Sequence, residues 1–270
     1  MARHWWHLLL MIRNFFYITP SDVLPHFWYL SADFQLFVIS LLTLLLFKSR
    51  RMVAVAAFCL LSLLGCAVGT FVVASLDLPP FMIFPGPILK VMEKTANEYY
   101  IRPYNHAVNF FSGCITFLVM EDFKQWKLSK ASLCAGWVVA VSCALFCTFV
   151  KLAWYRSPEP TSQAVKLLMA FFDHILWSIF LVWITLACSS GRGGPFGKFL
   201  SWNAFVPLSK LSYGVYLIHL PFLELLLHAT RERLYWSIFH MVTRFFAVVV
   251  WSYLLAYLAF LACEAPTGAL

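Results

Sequence analysis

Charge is scarce in this chain. Asp, Glu, Lys and Arg together make up only 12% of its 270 residues, while 62% are hydrophobic. A water-soluble domain of this length cannot hide that much apolar surface, so soluble globular classes are excluded. Strict apolar–polar alternation is also missing; the apolar runs are continuous, which argues against an outer-membrane barrel. No Cys-x-x-Cys pair occurs, so a redox dithiol has no support, and no Asn-x-Ser/Thr acceptor occurs to mark a glycosylated side. Acidic residues are outnumbered 12 to 20, giving a net charge of +8. No basic soluble face accompanies that excess, so nucleic acid is not an expected partner. Clusters such as Lys48, Arg50, Arg51 and Lys124, Lys127, Lys130 instead suit anionic headgroups of membrane lipids. The short apolar run Leu8–Ile12, cut by Arg13, is not a signal-peptide core.

What is present is a series of long apolar runs from Phe34 to Ala262. These predict an all-α, polytopic transmembrane helix bundle of about seven spans, hence a multi-pass protein of the plasma membrane or an endomembrane. The spans are expected near 32–47, 53–76, 104–120, 131–150, 165–188, 208–228 and 234–262. Residues 1–30 read as an aromatic interfacial segment and loop, with Trp5, Trp6, Trp28 and Tyr29 at headgroup level. Residues 31–264 read as the bundle and 265–270 as a tail. Gly65 and Gly69 stand four apart and predict close helix contact. The connector 77–103 is rich in proline and long for a bundle, a common trait of functional loops. Its Phe81–Phe84 run is expected to dip into the interface. The glycine-rich stretch 189–199 reads as a loop and not as a phosphate loop, because no strand precedes it. Residues 230–233 read as a turn. Lys and Arg divide almost evenly between the two sides, so loop charge leaves orientation open.

The polar residues inside the spans are the candidates for function. Ser209, Ser212, Tyr216 and His219 follow at steps of three, four and three, so one helix face carries all four. Lipid would leave that face unsatisfied, and it should turn to a protein interior or a wet cavity. His219 suits a general base, or a buried imidazole bonded to a neighbouring helix. Asp33 reads either as an N-terminal cap of the first span or as a substrate-facing group, with Gln35 beside it. Arg102 suits a phosphate or a headgroup. Asp173 and His174 are adjacent and point to different faces, so they form no dyad alone. Glu224 with His228, and His240 with Arg244, are four apart and share faces. The eight cysteines all sit in or beside apolar runs and read as packing residues, and no metal site is expected.

Several motifs carry a resemblance. The run His26-Phe-Trp-Tyr-Leu-Ser-Ala-Asp-Phe-Gln-Leu-Phe37, then Tyr100-Ile-Arg-Pro-Tyr104, Phe205-Val-Pro-Leu-Ser-Lys-Leu-Ser-Tyr213, Tyr216-Leu-Ile-His219 and Glu264-Ala-Pro266 occur in order across nearly the whole chain. Together they resemble the nose-resistant-to-fluoxetine proteins of the membrane acyltransferase type 3 superfamily. Phe27 stands where Thr is usual and Lys210 where Arg is usual, and the cysteines that flank the first loop in relatives are absent. The resemblance implies transfer of an acyl group from a donor such as acyl-CoA to a small-molecule acceptor, with no bound cofactor. His219 and Tyr216 are then the catalytic candidates; Asp33, Gln35, Arg102, Ser212 and Arg244 are the substrate-binding candidates. It also implies helices ahead of this region, one carrying the family's intramembrane His, so the chain reads as the C-terminal part of such a domain. The alternative is a non-catalytic protein that binds or transports lipids or hydrophobic small molecules.

Overall fold

The computed structural model describes residues 5–19, 22, 24–82, 89–156, 161–229 and 237–267. The expected turn at 230–233, the start of the last span at Leu234 and the Ile83–Phe84 part of the connector lie outside them. Among the described residues, seven helices exceed eighteen residues: α1 (Trp28–Leu46), α2 (Arg51–Leu76), α3 (Pro103–Gln125), α4 (Lys130–Arg156), α5 (Gln163–Ser189), α6 (Phe205–Ala229) and α7 (Ile238–Ala259). Six are long and apolar enough to cross a membrane; α3 is the exception. At 23 residues α3 has the length, but Asn105, His106, Asn109, Ser112 and Thr116 dilute its hydropathy. A helix this polar must lie among other helices, and α3 packs on α1, α2 and α5.

The chain forms two compact units. One comprises residues 1–20 and 27–197, the other 21–26 and 198–270. In the first, α2 and α3 make the closest approach. A Cβ added at Gly65 would sit 2.8 Å from the Tyr104 backbone oxygen. The small residue is therefore required by backbone contact, as the Gly65/Gly69 spacing implies. Phe58, Phe111, Leu36 and Ala107 form a buried core beside it. Helix α4 packs chiefly on α5, and a groove is left between α4 and the α2–α3 pair.

Helices α3 and α5 run parallel in one register. Asn105 meets His174, Asn109 meets Ser178, and Phe123 meets Arg192, each 69 positions apart. At the end of α3 the Arg192 guanidinium donates to the carbonyls of Phe123 (3.0 Å), Lys124 (3.1 Å) and Trp126 (2.6 Å). It thus adds a charged donor to the carbonyls at the C-terminal end of α3. Arg51 pairs with Asp122 nearby. At the opposite end Asp77, in left-handed conformation at the C-cap of α2, pairs with Lys166 of α5 at 2.8 Å. The Lys166 ammonium holds the Asp77 carboxyl below its ordinary value.

Two stretches differ from the expectation. The glycine-rich loop folds partly into a short helix, Gly194–Leu200, entered through positive-φ Gly191 and Gly194. The connector contains a helix at Leu89–Thr95 and a π-helical turn at Ala96–Tyr100. In both, local hydrogen bonding satisfies backbone that a bare loop would leave open. In the second unit α6 and α7 pack together; Gly214 faces Ala256, where an added Cβ would approach the Ala256 Cβ to 3.1 Å.

Gly65→Ala should lower unfolding stability in detergent by about 1–3 kcal/mol, the usual cost of overpacking. Gly113→Ala is the control, because nothing lies within 4 Å of its added Cβ. The Asp77–Lys166 contribution should be complete above the ordinary carboxylate pKa and disappear as pH falls through the depressed Asp77 value. Asp77→Asn should remove that component from a thermal-unfolding pH series.

Candidate functional site

The polar stripe of α6 belongs to the second unit, with residues 21–26. Tyr216 and His219 are half-buried there, whereas Ser209 and Ser212 are exposed. The Tyr216 hydroxyl donates to the His26 carbonyl at 2.5 Å, and the His26 ring lies 5.4 Å from the Tyr216 ring and 5.6 Å from the His219 ring. The Ser212 hydroxyl instead donates to its own helix, at the Ser209 carbonyl. The stripe therefore divides: its lower half bonds to itself, and its upper half meets His26.

His219 shows how its proton is placed. Its Nδ1 lies 2.7 Å from the Tyr216 carbonyl and 3.1 Å from the Val215 carbonyl. A carbonyl can only accept, so Nδ1 carries the hydrogen and a neutral ring has its lone pair at Nε2. Two residues along, Pro221 has no N–H for the Leu217 carbonyl. The His26 imidazole approaches that released carbonyl. A proline inside a span thus leaves a carbonyl open beside the neighbouring histidine.

Helix α7 adds Ser252, fully buried, with its hydroxyl unpaired among the described residues. The contacts Gly214–Ala256 and Phe222–Trp251 fix an antiparallel register that sets Ser252 at the depth of His219. Nothing in the α7 sequence singled it out, because a lone serine in an apolar span carries no spacing signal. Arg244 is half-buried on α7 and forms no ion pair with a described residue. Its expected neighbour His240 closes onto Ser237, which caps the helix. His228 bonds the Glu224 backbone carbonyl rather than its carboxylate.

In the first unit Gln35 and Arg102 meet through Asn14, which is fully buried. Asn14 and Gln35 exchange amide hydrogen bonds of 2.9 and 3.1 Å, and Gln35 also donates to the Met11 carbonyl. Arg102 donates to the Asn14 carbonyl at 3.2 Å and pairs with Glu98. Asn97 takes both the N–H and the carbonyl of Ile18. Residues 11–18 are thereby stitched to α1 and to the turn before α3. Asn14 was invisible in the sequence, since only the fold sets it opposite Gln35.

Asp33 lies one turn inside α1, which starts at Trp28 after Phe27, so it is not the N-terminal cap. It makes no hydrogen bond or ion pair with a described residue. Asp173 bonds Lys151 and His174 bonds Asn105, on different faces as their adjacency requires. Beside His174, Cys66, Gly69, Tyr99 and Tyr104 close together and leave no room for a water. Burial pushes the Tyr99 phenol above its ordinary value. Among the described residues no group of three His, Cys, Asp or Glu is arranged to hold a metal ion.

A family model described as an acyltransferase domain matches residues 2–261. The chain belongs to the type 3 acyltransferase family. It is 26% identical over 275 residues to nose resistant to fluoxetine protein 6 of Caenorhabditis elegans, a match covering 97% of this chain. The chain spans 33% of that relative's length. No solved structure matches it. Family and helices together make it a multi-pass integral membrane protein and a nose-resistant-to-fluoxetine homologue.

Asn14→Ala leaves the Gln35 amide short of partners, while the Arg102 bond to the backbone carbonyl at 14 is kept. Thermal unfolding of the detergent-solubilised chain should register about 1–3 kcal/mol of lost stability. Gln35→Ala in the same background should add much less than it does alone, because the two share their bonds.

Proposed function

We propose that this chain takes part in transfer of an acyl group from an acyl-CoA-type donor to a hydroxyl acceptor. The observation that carries the reading is the proton placement on His219: Nδ1–H is held by its own helix, and the Nε2 lone pair is left for a substrate proton. In the proposed step His219 Nε2 takes the acceptor's hydroxyl proton as its oxygen attacks the thioester carbonyl. The acyl–oxygen bond forms, the carbon–sulfur bond breaks, and the thiolate leaves with a proton. Tyr216 holds the His26 segment against α6 and so fixes the histidine's surroundings. Arg244, with no carboxylate partner among the described residues, suits a phosphate of the donor; Ser212 is exposed one turn before Tyr216. In the first unit Asp33 has no hydrogen bond or ion pair among the described residues, while Gln35 and Arg102 are committed to Asn14 and serve any substrate indirectly.

The second reading, binding or transport of lipids without chemistry, is favoured by the groove beside α4. Its sign would be lipid exchange without acyl transfer.

Membranes containing the chain should transfer radiolabelled acyl groups from acyl-CoA to added acceptors. His219→Ala should lower that rate by about 10²–10⁴-fold, the usual worth of a general base. Tyr216→Phe should have a smaller effect. Undiminished turnover in the His219 variant would remove it from the mechanism.

A further inference from the structure

The groove of about 730 Å³ in the first unit runs between α4 and the helices α2, α3 and α5, and it includes Ser62, Leu63, Gly136, Val139, Ile179 and Trp183. Its volume falls within the ordinary range of ligand pockets. Leu63 and Val139 are half-exposed, so the groove opens sideways, toward the acyl chains of a bilayer. Gly136 exists for the indole: an added Cβ would lie 2.1 Å from the Trp183 ring.

Two of the polar groups along the groove are engaged. Ser112 donates to the Asn109 backbone and Ser178 to the Asn109 side chain. Ser62 Oγ and Trp183 Nε1 are buried and have no partner among the described residues. A serine hydroxyl can turn to its own helix. An indole N–H has no such recourse; it only donates and needs an acceptor brought from outside. The Trp183–Gly136 level lies about 9 Å below Lys130, from the helical rise over six residues. Lys127 and Lys130 there are exposed and form no ion pair with described residues.

We propose that the groove is a binding site for one anionic glycerophospholipid of the bilayer. One acyl chain lies along Ile179, Val139 and Leu63. An ester carbonyl accepts the Trp183 N–H, and the phosphate stands among Lys127 and Lys130. Entry from the side favours a lipid already in the membrane over a nucleotide-bearing thioester from water. The assignment stands whether or not the chain transfers acyl groups.

The test is photolabelling. The full chain is reconstituted in phosphatidylcholine vesicles containing a trace of phosphatidylglycerol with a diazirine on one acyl chain, irradiated, digested and sequenced by mass spectrometry. Adducts should concentrate on peptides holding 135–139 and 175–183. Unlabelled phosphatidylglycerol should compete better than phosphatidylcholine. Trp183→Phe keeps the ring and should reduce labelling about fivefold, as expected for one hydrogen bond. Val139→Trp should block the groove, and Lys127→Ala with Lys130→Ala should erase the preference for the anionic lipid. Variants are compared only as monodisperse protein, and either groove variant suffices. Labelling spread evenly over α6, α7 and the other lipid-facing helices would overturn the proposal. So would labelling unchanged by Val139→Trp, or competition by palmitoyl-CoA stronger than by the phospholipid.

Discussion

A hydrocarbon interior offers no hydrogen bonds, and α3 cannot escape that fact. It brings two asparagines, a histidine, a serine and a threonine into a bundle that must satisfy them. The matched pairs Asn105–His174 and Asn109–Ser178 supply the answer, four residues apart on each helix. Once these pairs form, the angular position and register of α5 against α3 are fixed. The remaining helices of that unit arrange themselves around the result: α2 comes within backbone contact at Gly65, and α4 packs on α5 across the groove from α2 and α3.

The same requirement explains the irregular parts. Residues 11–18 are fastened by side-chain amides and a guanidinium rather than by apolar packing alone. Asn14, Gln35, Asn97 and Arg102 each serve backbone groups or one another. In the second unit the device is a proline. Pro221 releases a carbonyl inside α6, and His26 lies where that carbonyl needs a donor. Polar side chains here are structural fasteners first, and a catalytic role must be found among those with an atom to spare. His219, with one nitrogen fastened and one not, meets that condition.

Much of the fold was legible in the sequence because apolar length alone identifies spans. The helices α1, α2, α4, α5 and α6 fall close to their expected ranges, and α3 was recognisable despite its polarity. The Gly65–Gly69 spacing announced a close approach, though not that Tyr104 would provide it. The candidate site was less legible. Spacing put Tyr216 and His219 on one face, but Ser212 on that face turned to the Ser209 carbonyl, and Ser209 itself is exposed. Of the two readings of Asp33, the cap fails because α1 starts a turn before Ala32. Partners separated by many residues, such as Asn14 with Gln35 or His26 with Tyr216, depend on how helices meet, and one sequence does not encode that in any local pattern.

Arg192 ties its guanidinium to carbonyls 66 to 69 positions earlier in the chain. A ribosome makes the end of α3 long before it makes that arginine. Between those moments the helix is in the membrane with its terminal carbonyls facing water or lipid headgroups. Assembly of the first unit is therefore a delayed event, complete only after both α4 and α5 have been delivered. Up to that point a nascent chain carries a polar third helix with nothing yet to hold it, which makes this interval the natural moment for surveillance by insertion factors or quality-control proteases.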